Sequence, residues 1–235
     1  MAGGDGLHDA VLVVLGYAYV LAAIVFSREA WRRFKCSKEN SRKLLHILVG
    51  NLVFLIPLFE NWLSPLLIAA PFIPATLLAS PHSPLKLEIF DRIGLREVSS
   101  RGHGLGLVYY SLAYTLLAGL FFNIPQAAAS GIIPMTYGDG FAALIGARPG
   151  LKRHKLPTGR SLEGSLAFFT FSLLGLTLYT SFLSTLGIYP LNQGFTLALL
   201  AASIGTVTEA FTPRGYDNLT VPFLCVLAAK ALGGW

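Results

Sequence analysis

The sequence predicts an all-α integral membrane protein, a polytopic bundle of about eight transmembrane helices with both termini outside the cytoplasm. Of its 235 residues, 54% are hydrophobic and only 13% are charged, whereas an average soluble domain carries about 25% charged residues. The mean hydropathy is +0.61. Residues 102–138 and 164–208 contain no Asp, Glu, Lys or Arg, and each run is longer than the roughly 20 residues that a helix needs to cross a bilayer. These observations exclude a soluble globular fold.

The predicted spans are apolar runs separated by polar or Pro/Gly-rich breaks. They cover residues 8–27, 44–59, 62–80, 104–122, 125–146, 164–186, 192–211 and 219–234. Helices of this length use most of the chain, so we expect one membrane-embedded domain over 1–235. Because the N-terminus lacks the basic region of a signal peptide, we expect the first span to be retained.

The lysines and arginines predict the orientation of the bundle. All of them except Lys230 fall within 28–43, 86–101 and 148–160 or at Arg214, which share one side of an eight-span bundle. The positive-inside rule makes that side cytoplasmic. The net charge of +6 is then explained by membrane orientation and an anionic substrate, and we expect no nucleic-acid partner.

Four carboxylates lie at the predicted cytoplasmic ends of membrane helices: Asp139, Glu163, Glu209 and Asp217. Ionisable groups at membrane helices are costly and are functional candidates by default. Each of them could instead be a helix cap, and Asp139 could simply pair with a loop arginine. Since the chain has only 12 acidic residues, the gathering of four on one face favours a polar chamber over unrelated caps.

The surroundings of Asp139 indicate a magnesium–nucleotide site. Gly138 and Gly140 flank the carboxylate, and the basic segment 148–160 follows. Magnesium prefers carboxylate oxygens, while a polyphosphate needs Lys, Arg and backbone N–H donors. Ser161 is placed to cap the next helix, whose N-terminal N–H groups would attract phosphate.

A second polar group lies at the start of the second span. Arg42, Lys43 and His46 are spaced three and four residues apart, so a helix places all three on one face. Two topology anchors and a packed interfacial histidine would give the same pattern.

Three blocks, in this order, resemble the CTP-dependent lipid-alcohol kinases: dolichol kinase, phytol kinase and the CTP-dependent diacylglycerol kinase. The middle block reads Asp139-x-x-Ala142-x-x-x-Gly146-x-x-x-Gly150, then eight residues, then Gly159-Arg160-Ser161-x-Glu163-Gly164. It resembles the dolichol kinase CTP-binding motif, which typically has Lys, Lys and Thr where this chain has Gly159, Arg160 and Ser161. The other blocks are residues 42–46 and Glu209 with 217–222, so the resemblance covers about residues 41–222.

The resemblance implies an integral membrane enzyme, with its active site facing the cytoplasm, that transfers the γ-phosphate of CTP to a membrane isoprenoid alcohol. The products would be a lipid monophosphate and CDP, the cofactor Mg²⁺, and the acceptor dolichol, polyprenol, geranylgeraniol or phytol. Asp139 would hold magnesium, with Glu163 or Asp217 as co-ligands, and His46 or Glu209 would take the alcohol proton. The implied nucleotide-binding residues are Arg42, Lys43, Gly138, Gly146, Gly150, Lys155, Arg160, Ser161, Glu163, Gly164, Asp217 and Asn218.

Other functions stay open. A phosphatidate-type cytidylyltransferase, which makes a CDP-lipid, carries a similar middle block but usually adds a C-terminal Lys-Asp and a Pro-Gly-His-Gly-Gly run that this chain lacks. A transporter would use the same carboxylates without nucleotide turnover. The sequence does not choose the alcohol, and no residue distinguishes CTP from UTP or ATP.

The lipid alcohol is expected to enter sideways between helices, because each CH₂ that leaves the bilayer costs about 0.8 kcal/mol. Small and aromatic residues of the fourth and fifth spans are candidates for this opening, and plain helix packing would explain them equally well. They are Gly104, Gly106, Tyr109, Tyr110, Tyr114, Ala127, Ala128, Ala129 and Gly131.

Overall fold

The computed structural model describes residues 5–34, 38–85, 87–92, 105–147 and 158–232. Every element within these ranges is a helix, and they contain no strand. The all-α prediction is therefore confirmed. The helices group into two compact units, an N-terminal unit (Met1–Asn123) and a C-terminal unit (Ile124–Trp235).

The N-terminal unit is built on the long helix α1. Its helices are α1 (Asp5–Phe34), α2 (Lys38–Gly50), which continues as a 3-10 helix (Asn51–Leu58), α3 (Leu63–Ala69), α4 (Phe72–Ala79), α5 (Glu88–Arg92) and α6 (Gly106–Leu120). Helix α1 packs against α2 and α3, and α6 packs against α3 and α4. The buried carboxylate of Asp9 accepts hydrogen bonds from the backbone N–H groups of Glu60 and Asn61, at 3.0 and 2.9 Å, and from the Ser64 hydroxyl at 2.6 Å. This carboxylate ties the start of α1 to the turn before α3.

The C-terminal unit carries three helices that pack side by side. Its helices are α7 (Pro125–Ile133), a π-helical turn (Pro134–Gly138), α8 (Asp139–Gly146), α9 (Leu162–Thr185), α10 (Leu191–Phe211) and α11 (Asp217–Ala231). Helix α10 packs against both α9 and α11, α8 packs on α9, and α7 packs on α11. Ala127, Ala128 and Ala129 have no exposed surface, so helix packing, and not a lateral opening, explains these small residues of the fifth predicted span.

Within the described residues, four helical segments are long and apolar enough to cross a membrane: Gly6–Ala30, Asn40–Leu58, Leu162–Thr185 and Leu191–Phe211. They coincide with the first, second, sixth and seventh predicted spans. The other predicted spans also contain helices, but these are shorter, as in Leu63–Ala79 and Gly106–Leu120, or are interrupted, as at the π-helical turn. The total of eight spans and the orientation of the termini stay predictions.

Helix α9 shows how such a segment divides its side chains between protein and lipid. Leu166, Leu174 and Leu178 are 66%, 58% and 61% exposed, whereas Phe168 and Tyr179 on the opposite face are fully buried. A row of leucines this exposed would be costly in water, at roughly 25 cal/mol per Å² of apolar surface. In a bilayer the same row contacts lipid chains, so the surface of α9 fits a membrane helix.

Candidate active site

The buried guanidinium of Arg160 organises a cluster of acidic side chains in the C-terminal unit. Nη1 of Arg160 forms a short ion pair with Oε1 of Glu209, and Nη2 lies 2.7 Å from Oδ2 of Asp217. Nη2 also donates to the backbone oxygen of Thr212 at 3.3 Å. The side chains of Arg160, Glu209 and Asp217 are 11%, 3% and 5% exposed. We call Arg160, Asp139, Glu209 and Asp217 the arginine cluster.

Electrostatics hold the arginine in its charged form. Burial by itself would lower the pKa of Arg160, but the negative charges of Glu209, Asp217 and Asp139 outweigh burial, so the pKa is raised above its ordinary value. The interaction with Asp139 shows that this third carboxylate, which is only 3% exposed, belongs to the same electrostatic group. The arginine cluster thus combines three carboxylates with one guanidinium.

Helix ends bring the cluster together. Asp139 is the first residue of α8, directly after the π-helical turn. Glu209 lies in the last turn of α10, and Asp217 opens α11. The Thr158 hydroxyl donates to the backbone oxygen of Ala210 at 2.7 Å, which fixes the segment that carries Arg160 against the end of α10. Helix termini can hold such groups because their backbone N–H and C=O groups lack partners within the helix.

The start of α9 has the geometry that the sequence predicts. Oγ of Ser161 accepts a hydrogen bond from the N–H of Gly164 at 3.1 Å, so Ser161 is the N-cap of α9. Glu163 lies in the first turn of the same helix and is half-buried. Gly159 has a φ of +62°, a left-handed conformation that glycine adopts without steric cost. The position where the dolichol kinase motif carries a lysine is therefore a backbone turn in this chain.

Curated proteins that resemble the chain over most of its length are kinases of isoprenoid alcohols. It is 33% identical to a phytol kinase of Synechocystis sp., across 91% of this chain and 88% of that protein. It is 30% identical to the chloroplastic phytol kinase 1 of Arabidopsis thaliana, across 97% and 78%. The chain belongs to the lipid-alcohol kinase family. It is also 28% identical to the chloroplastic farnesol kinase of A. thaliana, across 88% and 70%. No family model matches the chain, and no solved structure matches it.

For a lipid-alcohol kinase, the arginine cluster brings together three of the four carboxylates that the sequence singles out. Asp139, Glu209 and Asp217 surround Arg160. The sequence treats Arg160 as a phosphate contact, and the structure adds that it is the counter-ion of these acids. The sequence also allows Asp139 to be an acid that simply pairs with a loop arginine. The interaction of Asp139 with Arg160 agrees with that explanation too. Predicted site residues Gly150 and Lys155 lie outside the described residues.

Glycines of the middle block have a packing role in this lipid-alcohol kinase. A Cβ built on Gly164 would lie 3.3 Å from Cα of Gly146, 3.2 Å from the backbone oxygen of Ala142 and 2.9 Å from Oγ of Ser161. A Cβ on Gly138 would lie 2.9 Å from the ring of Phe168. The two helices α8 and α9 therefore approach each other closely only because Gly146 and Gly164 lack side chains. Their proposed nucleotide contacts stay predictions.

The first polar block lies in the N-terminal unit. Lys43 and His46 on α2 are only 7% and 4% exposed, and Arg42 is half-buried. The ring of His46 packs against that of Tyr110, with 3.9 Å between the ring centroids and 45° between the planes. The Tyr110 hydroxyl donates to the backbone oxygen of His46 at 3.1 Å. A buried lysine and histidine beside each other are unusual enough in a membrane helix to be functional candidates.

Sequence reasoning missed three residues that hold these sites. The Thr158 hydroxyl donates to the backbone oxygen of Ala210, and the backbone oxygen of Thr212 accepts from Arg160. The ring of Tyr110 packs on that of His46. Thr158 lies two residues from Arg160 and Thr212 lies three residues from Glu209, but no spacing rule shows that their groups bond across 52 residues of chain. Tyr110 appears in the sequence only as a candidate for the lateral opening.

Carboxylate oxygens of the arginine cluster are the right donor type for magnesium. In the part of the chain that the structure describes, no group of three or more His, Cys, Asp or Glu side chains is arranged to hold a metal ion. Mg²⁺ at kinase sites is usually bound by one or two carboxylates together with waters and substrate phosphates, and does not need an all-protein cage. The carboxylate oxygens of the cluster fit such a partial site.

Proposed function

We propose that this protein transfers the γ-phosphate of CTP to the primary hydroxyl of an isoprenoid alcohol, such as phytol, farnesol or geranylgeraniol, at the cytoplasmic side of a membrane. Dolichol and polyprenol are the long members of the same substrate class. The proposal rests on one observation above all: a buried arginine and three carboxylates lie at helix ends in a member of the lipid-alcohol kinase family. Phosphoryl transfer depends chiefly on positioning and charge neutralisation, and this cluster supplies charged groups in fixed positions.

Each cluster residue has a role in this proposal. Asp139 holds magnesium, with Asp217 or Glu163 as a further ligand, and the bound ion would neutralise phosphate charge. Arg160, together with Lys155, contacts the phosphates. Glu209 fixes the orientation of Arg160, because one of its oxygens already accepts the bond from Nη1.

During the transfer one bond to the γ-phosphorus forms and one breaks. The alcohol oxygen attacks the γ-phosphorus, the bond between that phosphorus and the β–γ bridging oxygen breaks, and CDP leaves. The alcohol proton passes to a base. His46 and Glu209 are the two candidates for this base.

The decisive experiment supplies purified protein in lipid nanodiscs with γ-labelled CTP, magnesium and a panel of phytol, farnesol, geranylgeraniol and dolichol. Label in a lipid monophosphate supports the proposal. Label released as pyrophosphate would identify a cytidylyltransferase, and no magnesium-dependent turnover would favour a transporter. Comparable rates with UTP or ATP would overturn the choice of CTP.

A further inference from the structure

An apolar cavity lies among α1, α2, α3, α4 and α6 of the N-terminal unit. Its walls include Ile24, Leu45, Val49, Phe72 and Tyr110, together with His46. We call it the His46 cavity. Its volume is about 60 Å³, whereas pockets that enclose a whole small ligand measure roughly 300–1,000 Å³. The cavity therefore holds a few carbon atoms and not an entire lipid.

Three hydroxyl groups in the walls are turned to the protein backbone. The Ser111 hydroxyl donates to the backbone oxygen of Leu107 at 2.9 Å, and that of Thr76 donates to the backbone oxygen of Phe72 at 2.6 Å. The Tyr110 hydroxyl bonds the backbone oxygen of His46. These three hydroxyls are satisfied within the protein. His46 and Tyr114 are the other wall residues with polar side chains, and the rest of the wall is hydrocarbon. The cavity therefore suits a hydrocarbon group that lies next to a hydroxyl.

We propose that the His46 cavity binds the methyl-branched carbon unit next to the hydroxyl of the isoprenoid alcohol, an inference that rests on the proposed function. Three features favour this occupant. The substrate of a lipid-alcohol kinase is hydrocarbon apart from its hydroxyl, and the walls of the cavity are apolar. The volume of the cavity matches a short branched segment. His46 in the wall, one of the two candidate bases, then lies beside the hydroxyl. The remaining chain stays outside the cavity among lipid tails.

If the cavity binds this branched unit, it determines which alcohols the enzyme prefers. Phytol, farnesol and geraniol share a methyl branch on the third carbon and differ in chain length, and a straight-chain alcohol lacks the branch. One methyl or methylene group in a hydrophobic pocket changes kcat/KM by about 10- to 200-fold. The enzyme should therefore distinguish alcohols by the branch near the hydroxyl, and it should be insensitive to length beyond the first unit.

The first test compares phytol, farnesol and geraniol with hexadecanol at equal mole fractions in nanodiscs. We expect kcat/KM values for the three branched alcohols within a few-fold of one another, and a value at least about 10-fold lower for hexadecanol. Equal use of hexadecanol, or a steep dependence on chain length, would overturn the assignment.

The second test fills the cavity. Val49→Phe places a larger ring in the wall, and the same substitution at Val25, which is 65% exposed on α1, is the matched control. We expect Val49→Phe to reduce kcat/KM for phytol by at least about 10-fold, to reduce it far less for hexadecanol, and to leave CTP binding unchanged. Val25→Phe should behave as the parent protein. Equal losses for both alcohols in Val49→Phe would contradict the proposal.

A third measurement uses the parent protein, so it depends neither on the folding of a variant nor on catalytic turnover. A phytol analogue with a diazirine on the third-carbon branch, photolysed with the parent protein, should label peptides of α2 and α6. Labelling confined to the C-terminal unit, or equal labelling of α2 and α6 by a straight-chain diazirine alcohol, would overturn the inference. If no alcohol is phosphorylated although α2 and α6 are labelled, the proposed function fails and the cavity assignment stands.

Discussion

Arg160 shows how one residue can hold a charged site together at the end of a membrane domain. It bonds two carboxylates from two different helices and interacts with a third. Since those acids raise its pKa above an already high ordinary value, Arg160 stays charged near neutral pH. Any pH dependence of activity near neutrality must therefore arise from other groups.

Replacing Arg160 by Gln should destabilise the C-terminal unit. The change leaves Glu209 and Asp217 buried without their counter-ion, and breaking a buried ion pair in this way costs about 3–5 kcal/mol. The free energy of unfolding, measured with denaturant in detergent micelles, reports the loss.

The control for this prediction is Arg33→Gln on α1. Arg33 pairs with Glu29 at 2.7 Å, but the two side chains are 74% and 43% exposed, and exposed pairs contribute at most about 1 kcal/mol. A loss in Arg160→Gln no larger than in Arg33→Gln would show that the arginine cluster does not stabilise the fold.

Two variants distinguish His46 from Glu209 as the base. Removal of the base should lower kcat by about 10²- to 10⁴-fold, the usual contribution of general acid–base catalysis. His46→Gln should show this loss with CTP binding unchanged, whereas Glu209→Gln should also weaken CTP binding through the position of Arg160. A His46→Gln protein with the kcat of the parent would assign the proton to another group.

At the scale of helices, the contact between α8 and α9 depends on two glycines. A methyl group on Gly164 would meet Cα of Gly146 and the backbone oxygen of Ala142, and backbone atoms cannot move aside as a flexible side chain can. Gly164→Ala should therefore cost about 1–3 kcal/mol, the usual penalty of overpacking. It should also lower kcat, because Asp139 begins the helix that is displaced.

Gly6→Ala on α1 is the matched control, since nothing lies within 4 Å of its added methyl group. Thermal unfolding and phytol kinase assays of the two variants check the prediction. A Gly164→Ala protein as stable and active as Gly6→Ala would mean that α8 and α9 can separate without consequence.

Helix positions were largely predictable from hydropathy, but their interruptions were not. The run 62–80 predicts one span, and the structure breaks it between α3 and α4 next to Pro71. The run 125–146 likewise conceals the π-helical turn before Asp139. Hydropathy averages measure how apolar a segment is. They do not show which backbone carbonyl each N–H reaches, so they cannot reveal a π-helical turn, a feature that is frequent at functional sites.

The acids of the site could also be predicted, because charge is rare in this chain and its place near helix ends is visible in the sequence. What could not be predicted is the pairing. Arg160 meets Glu209 and Asp217 across 49 and 57 residues, and only the packing of α9, α10 and α11 brings these positions together. Sequence spacing within one helix carries no such information.

At the scale of the whole molecule, the nucleotide and its metal ion should act as a stabilising ligand. A ligand that binds only the folded state at about 100 times its Kd adds roughly 2.7 kcal/mol to stability. CTP with magnesium should therefore raise the Tm of the parent protein, and EDTA should abolish the rise. Asp139→Asn should fold, show no such rise and lose at least about 100-fold in kcat, the scale of losing one electrostatic contact in a transition state.

Asp91→Asn, at an exposed position on α5, is the control and should retain both responses. If the Asp139→Asn protein gains the same Tm increase as the parent, Asp139 does not hold the metal ion.

The small volume of the His46 cavity has a kinetic consequence. If most of the isoprenoid chain remains among lipids, the enzyme meets its substrate at a two-dimensional density, moles of alcohol per mole of phospholipid, and not at a bulk concentration. Adding inert phospholipid at constant total alcohol would then slow the reaction by dilution within the plane of the membrane. The rate of such a kinase would follow membrane composition directly and would rise wherever free isoprenoid alcohol accumulates in the bilayer.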